Sequence, residues 1–220
     1  MKQYIKNQQT NSKNFTLNGV EVFIKDMPPK NISTKNVVEK MFKILPSKLL
    51  SNVRYIKVGQ FSALVNREIQ AMYKDSTIYV TNIQTDEEDM LDDIVHEVAH
   101  SVEEKYKNLI YSDQTIKKEF VLKRRVLWGK LKNRGFYYPL KDFLKVDFDK
   151  KIDLFLHKKV GYDLLSMLSS DLFFSSYGSV SIQEYFANGF EAFYFHKDFD
   201  KLARISPVMY TKLEKLHKKE

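Results

Sequence analysis

The stretch that most constrains the fold runs from Thr85 to Val102. Thr85 followed three residues later by Glu88 has the form of a capping box, and Asp86, Glu87, Glu88 and Asp89 suit the positive end of a helix dipole. Leu91, Ile94, Val95, Val98 and Val102 recur at helical spacing and form one apolar stripe. His96 and His100 lie one turn apart on nearly the opposite side, so both imidazoles project away from the core-facing stripe.

His96-Glu97-Val98-Ala99-His100 is an H-E-x-x-H pattern. Imidazoles at i and i+4 can reach a common zinc ion, and the Glu beside the first of them can reach a water on that ion and act as general base. The plain alternative is a pair of solvated histidines on a helix. Catalytic zinc generally takes a further protein ligand. A Gly-x-x-His continuation is absent, because position 103 is Glu and position 106 is Tyr, which removes the metzincin pattern. His157, His196 and His217 sit in Lys-rich contexts and read as surface residues.

The better third ligand is Glu184. It opens a segment that is apolar nearly all round (Tyr185, Phe186, Phe190, Phe193, Tyr194, Phe195), with Glu184, Asn188 and Glu191 as its polar stripe. A carboxylate on such a buried helix needs a strong partner, since leaving it unpaired costs several kcal/mol. The competing explanation is a capping box closed with Ser181.

These blocks resemble a known family. H-E-x-x-H, then Tyr177 and, seven residues on, Glu184-Tyr-Phe-Ala, then Pro207-Val-Met-Tyr210-Thr-Lys-Leu213, are similar to the catalytic domain of the anthrax lethal factor family, which includes the clostridial Pro-Pro endopeptidases. The likeness is dense over 91–104 and 177–213, extends to the β-like runs of 54–83, and is absent from the first 50 residues. The resemblance implies a zincin-like α+β metallopeptidase of gluzincin type. It implies one zinc per chain on His96, His100 and Glu184, Glu97 as general base, and Tyr177 as the phenol that stabilises the oxyanion. Glu103, and less closely Glu104, match the acidic position after the second His. The chain departs from the family by carrying Asn188 where an acidic residue is usual, and by a longer stretch between His100 and Glu184.

That longer stretch holds the charge. The formal net charge is +8, but 115–159 alone carries 14 Lys or Arg against 5 Asp or Glu, which leaves the remainder near neutral. Lys117, Lys118, Lys123, Arg124, Arg125, Lys130 and Lys132 alternate with apolar residues at helical spacing, as on the solvated face of an amphipathic helix. The alternative is a patch for an acidic partner, whether substrate, anionic membrane or nucleic acid, with Trp128, Phe136, Tyr137 and Tyr138 available for stacking. No basic zipper or helix-turn-helix pattern accompanies it, so nucleic acid is the weaker choice.

The chain has no cysteine, which excludes disulfide scaffolds, thiolate metal sites and cysteine nucleophiles. No stretch approaches the length of an apolar membrane span, and Met1–Thr10 lacks the apolar run of a secretory signal. The expected location is therefore the cytoplasm, delivery without a standard signal, or a secreted mature form.

The expected organisation is an extension over 1–14 and a single domain over 15–220 with a basic helical insertion at about 108–175. Its N-terminal part is a small mixed sheet with a helix. Asn18-Gly19 marks a hairpin within 15–25, a helix spans 34–45 before Pro46, and β-like runs cover 54–58, 71–73 and 77–83. From Thr85 the pattern is mostly helical. Thr77–Ile83, just before the H-E-x-x-H helix, is the expected edge strand for an extended peptide substrate. The functional expectation is a zinc endopeptidase, and the alternative is a peptidase-like module with a binding or structural role, as in a phage particle or secretion assembly.

Overall fold

The computed structural model describes residues 14–218, so the extension expected over 1–14, and with it the Met1–Thr10 stretch read for a secretory signal, falls outside the described residues except for Asn14. The class is α+β, with a five-stranded mixed sheet and a larger helical part. The chain divides after Val102 into two compact units.

In the first unit, β1 (Phe15–Leu17) and β2 (Val20–Ile24) form the expected hairpin. Asn18 and Gly19 both take positive φ, 48° and 85°, as a type I′ turn requires. Helix α1 (Thr34–Ile44) is capped by Ser33, whose side chain accepts from the Asn36 N–H at 3.3 Å; it buries Val37, Val38 and Met41 and stops before Pro46. Then come β3 (Tyr55–Val58), the single turn α2 (Ser62–Val65), β4 (Ala71–Lys74) and β5 (Thr77–Val80).

The strand order is β1-β2-β3-β5-β4, with β2, β3 and β5 parallel and the outer two antiparallel to their neighbours. The expectation that Thr77–Ile83 forms the edge is therefore corrected. β5 ends at Val80 and lies between β3 and β4. Asp75 and Ser76, at φ 50° and 57°, turn the chain tightly enough for Ala71–Lys74 to fold back along β5 and take the outside place.

Alternation along the strands puts Val22, Ile24, Ile56, Val58, Ile78 and Val80 on one face, and all are buried. With Val37, Val38 and Met41, and with Met90, Leu91, Ile94, Val95 and Val98, they form the core of this unit. The last five belong to α3 (Glu87–Tyr111), which carries the chain toward the second unit and has non-helical backbone at Tyr106. Its cap lies one residue later than the sequence suggests. Asp86, not Thr85, accepts the N–H groups of Glu88 and Asp89 at 2.8 and 2.9 Å, and Asp89 reaches back to the Thr85 N–H at 2.9 Å. A carboxylate is the stronger acceptor at a helix N-terminus, and that decides the register. Glu87 anchors this turn on α1, accepting from Ser33 and Asn36 and pairing with Lys40 at 2.9 Å.

The second unit is helical: α4 (Thr115–Asn133), α5 (Leu140–Phe143), α6 (Lys150–Leu154), a π-helical stretch over Phe155–Val160, α7 (Tyr162–Ser169), a 3-10 turn at Tyr177–Ser179, α8 (Ile182–Tyr194), α9 (Phe199–Ile205) and α10 (Pro207–Lys218). α8 is buried along most of its length, as its all-round apolar pattern predicts. A Cβ at Gly189 would come within 2.6 Å of Met209, so the glycine lets α10 lie directly against α8.

The basic segment is not simply a solvated face. Lys123 and Arg124 are buried in α4 beside Ile116, Phe120, Leu127 and Leu131. The Lys123 ammonium donates to the carbonyls of Leu172 and Ile205 and to Ser206 Oγ, and lies over the rings of Phe173 and Tyr185. One turn earlier, Glu119 accepts from the N–H groups of Val208 and Met209 at 2.8 and 3.4 Å. α4 thus sets a cation at the C-terminus of α9 and an anion at the N-terminus of α10, each the complement of the local helix dipole. Trp128, read as a stacking candidate, is half-buried and donates to the Tyr138 carbonyl at 2.8 Å, and the Tyr138 ring packs on Phe143 and Phe155. Lys117, Lys118, Arg125, Lys132 and Tyr137 are exposed. No helix among the described residues is long and apolar enough to cross a membrane.

Candidate metal centre

Helical geometry sets the first part of the site. With Leu91, Ile94, Val95, Val98 and Val102 turned into the core, His96 and His100 emerge half-buried on the other side of α3, ring centroids 5.0 Å apart and nearly perpendicular. Glu97 is buried, and its Oε2 accepts the backbone N–H of Tyr73 in β4 at 2.5 Å. One turn before His96, Asp93 accepts from Gln84 Nε2 at 2.8 Å; burial pushes its carboxyl up to about 6.

Glu184 enters through the first turn of α8. Ser181 is the N-cap and accepts the Glu184 backbone N–H at 3.2 Å. The Ser181 half of the capping box is present, and it is the main chain of Glu184 that makes it. Each of His96, His100 and Glu184 offers one ligand atom, and these atoms lie within 4.8 Å of one another. All three side chains are half-buried. Two imidazole nitrogens and a carboxylate oxygen are a donor set that could hold a metal ion.

Tyr177 lies on the 3-10 turn before α8, 39% exposed, with its ring 5.8 Å from that of His157. His157, read as a surface residue, is half-buried and bonds Asp153 at 2.7 Å. Its place on the π-helical stretch, beside Tyr177, could not be read from a Lys-rich sequence context. His196 and His217 are exposed on aromatic neighbours, Phe174 and Phe193 among them.

Asn188 is buried; its carbonyl oxygen accepts from Ser175 Oγ, and its amide donates to Glu191 at 3.2 Å. A Cβ on Gly178 would meet the Asn188 oxygen at 2.9 Å, so the glycine admits this approach. Asn188 therefore secures the 175–179 segment that bears Tyr177. From the other side Arg124 Nη1 donates to the carbonyls of Lys145 and Val180 at 2.8 and 3.3 Å, and Ile182 N–H bonds the Val146 carbonyl at 2.8 Å. Glu103 accepts from Tyr111 Oη at 2.7 Å, and Glu104 is exposed.

No family model, curated protein or solved structure matches this chain.

Proposed function

We propose that the chain is a zinc-dependent endopeptidase with a zincin-like fold, of the kind represented by the anthrax lethal factor family. The observation that carries this reading is the convergence of His96, His100 and Glu184 on a helix-borne H-E-x-x-H motif whose Glu97 is buried at the outer strand of the sheet. When bound there, zinc supplies Lewis acidity toward a water and a peptide carbonyl. Glu97 takes the proton of the attacking water and returns it to the leaving amine. Tyr177 donates from its phenol to the carbonyl oxygen as negative charge develops on it. β4, the terminal strand, replaces the Thr77–Ile83 segment as the track for an extended peptide.

The test is bound metal per chain, by elemental analysis, on wild type and Glu184→Ala purified in parallel without chelator, together with casein hydrolysis. One zinc in wild type, a much reduced content in the variant and hydrolysis abolished by a chelator are expected. A wild-type chain that keeps no zinc after zinc is added and dialysed away would overturn the reading. Zinc held without hydrolysis would favour the binding-module alternative.

A further inference from the structure

A pocket of about 380 Å³ opens on the sheet beside β4, lined among others by Lys25, Phe61, Met72, Lys74 and Tyr79. It lies on the face opposite Ile78 and Val80, because Tyr79 alternates with them and pairs across the ladder with Met72 on one side and Lys57 on the other. Its floor is the edge-to-face pair Phe61 and Tyr79, ring centroids 5.2 Å apart. Lys25 and Lys74 bring positive charge to the lining: Lys25 Nζ lies 5.3 Å from the Phe61 centroid and donates to the Gln60 carbonyl, and Lys74 is an exposed wall residue, while Lys57 Nζ, outside the lining, lies 5.4 Å from the Tyr79 centroid. Asp26 offsets Lys25 in part, at 3.7 Å, while its carboxylate also accepts the Gln60 N–H at 2.8 Å.

We infer that this pocket selects an acidic side chain, Glu in particular, of an extended peptide lying along β4. In the two-residue hairpin, Lys74 with Thr77 and Met72 with Tyr79 are the hydrogen-bonded pairs, so the main-chain groups of Ala71 and Tyr73 point outward from the sheet; the Tyr73 N–H is held by Glu97, and the ladder to an added strand is made through Ala71. A strand added there sends alternate side chains to the Met72–Lys74 face, where the pocket is. The apolar floor suits the methylene stem of Glu, and the lysines suit its carboxylate. A basic side chain meets like charge, which makes the pocket selective by repulsion as well as attraction. That the ligand is a substrate rests on the peptidase reading; the charge preference does not.

The two are separated by measuring binding and cleavage apart. A pool of end-blocked decapeptides, with Glu, Gln or Lys walked through every position of an Ala-Thr background, is passed over immobilised Glu97→Ala protein and the retained peptides are read by mass spectrometry. At one or two alternate positions Glu peptides are expected to be retained about tenfold over Lys peptides, with Gln between them, and 0.5 M salt should shrink the difference. Lys74→Glu and Lys25→Glu, both at exposed positions, should reverse the order. Retention indifferent to the varied residue, no retention, or a preference unchanged in both variants would overturn the inference. The same pool incubated with wild type reports the peptidase reading: charge preference without cleavage supports the pocket and sinks the enzyme, and cleavage without charge preference does the opposite.

Discussion

The Tyr73 backbone N–H donates to Glu97 Oε2 at 2.5 Å, so the residue between the two histidines of H-E-x-x-H touches the outermost strand of the sheet. The group proposed to move protons sits where a bound peptide strand would pass. If the proposed zinc peptidase reading holds, Glu97→Ala keeps the metal and loses all but a few per cent of turnover. Glu97→Gln, which still accepts from Tyr73 but cannot take a proton, should be as inactive. Zinc content and casein hydrolysis measured on both check this, and substantial turnover in the Gln variant would remove Glu97 as base.

Tyr177→Phe should lower kcat by roughly 10²-fold, the loss expected of one oxyanion donor. The phenol-bearing residue is 39% exposed, so thermal stability should stay near wild type. Steady-state kinetics with a fluorogenic peptide decide it, and an unchanged kcat would assign the phenol no part in the reaction.

Asn188→Asp places an acidic residue at this position, yet it should not strengthen metal binding. The change removes the donor to Glu191 and sets two carboxylates side by side in a buried place. A loss of about 2 kcal/mol is expected from urea denaturation, with zinc content unchanged. Gly178→Ala should disturb the same contact from the other side, because its Cβ would stand 2.9 Å from the Asn188 oxygen.

Adjacent buried cations in α4 should respond differently to removal. Lys123→Met leaves the Leu172 and Ile205 carbonyls and Ser206 Oγ without their donor and should cost about 3 kcal/mol. Among the described residues Arg124 is bonded through Nη1 and finds no hydrogen-bond partner for Nε or Nη2, and burial draws its pKa down to about 10. Arg124→Met keeps the contact with the Phe120 and Phe143 rings and relieves that desolvation, so its stability should fall within about 1 kcal/mol of wild type.

Lys212 Nζ, 2.7 Å from Asp113, holds that carboxyl well below the usual carboxylate range, with help from the Thr115 N–H and hydroxyl. The unfolded chain takes up the proton first as the pH falls below about 4, so the contribution is complete above that value and is lost on further acidification. Urea midpoints of wild type and Asp113→Asn should differ by a constant amount near neutrality and converge toward pH 2.

Much of the fold was legible where local chemistry leaves little choice. Asn18-Gly19 dictates its turn, Pro46 ends α1, and the apolar stripe of α3 places both histidines on its far side. The edge of the sheet was not legible, because Ala71–Lys74 is too short to show alternation and its partner is chosen by the backbone at Asp75 and Ser76. The interior of α4 was hidden for another reason. Lys123 and Arg124 occupy core positions between Phe120 and Leu127, but the carbonyls and rings that make them tolerable come from distant parts of the chain. The part played by Asn188 was not legible, because its partner Ser175 comes into reach only once Gly178 lets the turn close on α8.

A sheet end is also a hazard, since unpaired backbone invites another molecule's strand to add itself and continue the ladder. Here β4 is only four residues long, ends in an exposed lysine, and has an outward N–H occupied by a carboxylate from α3. The bond from Tyr73 to Glu97 withdraws one donor from that edge and so shortens the ladder that another copy of the chain could build on it, and solutions of Glu97→Ala should aggregate at lower protein concentration than solutions of Glu97→Gln.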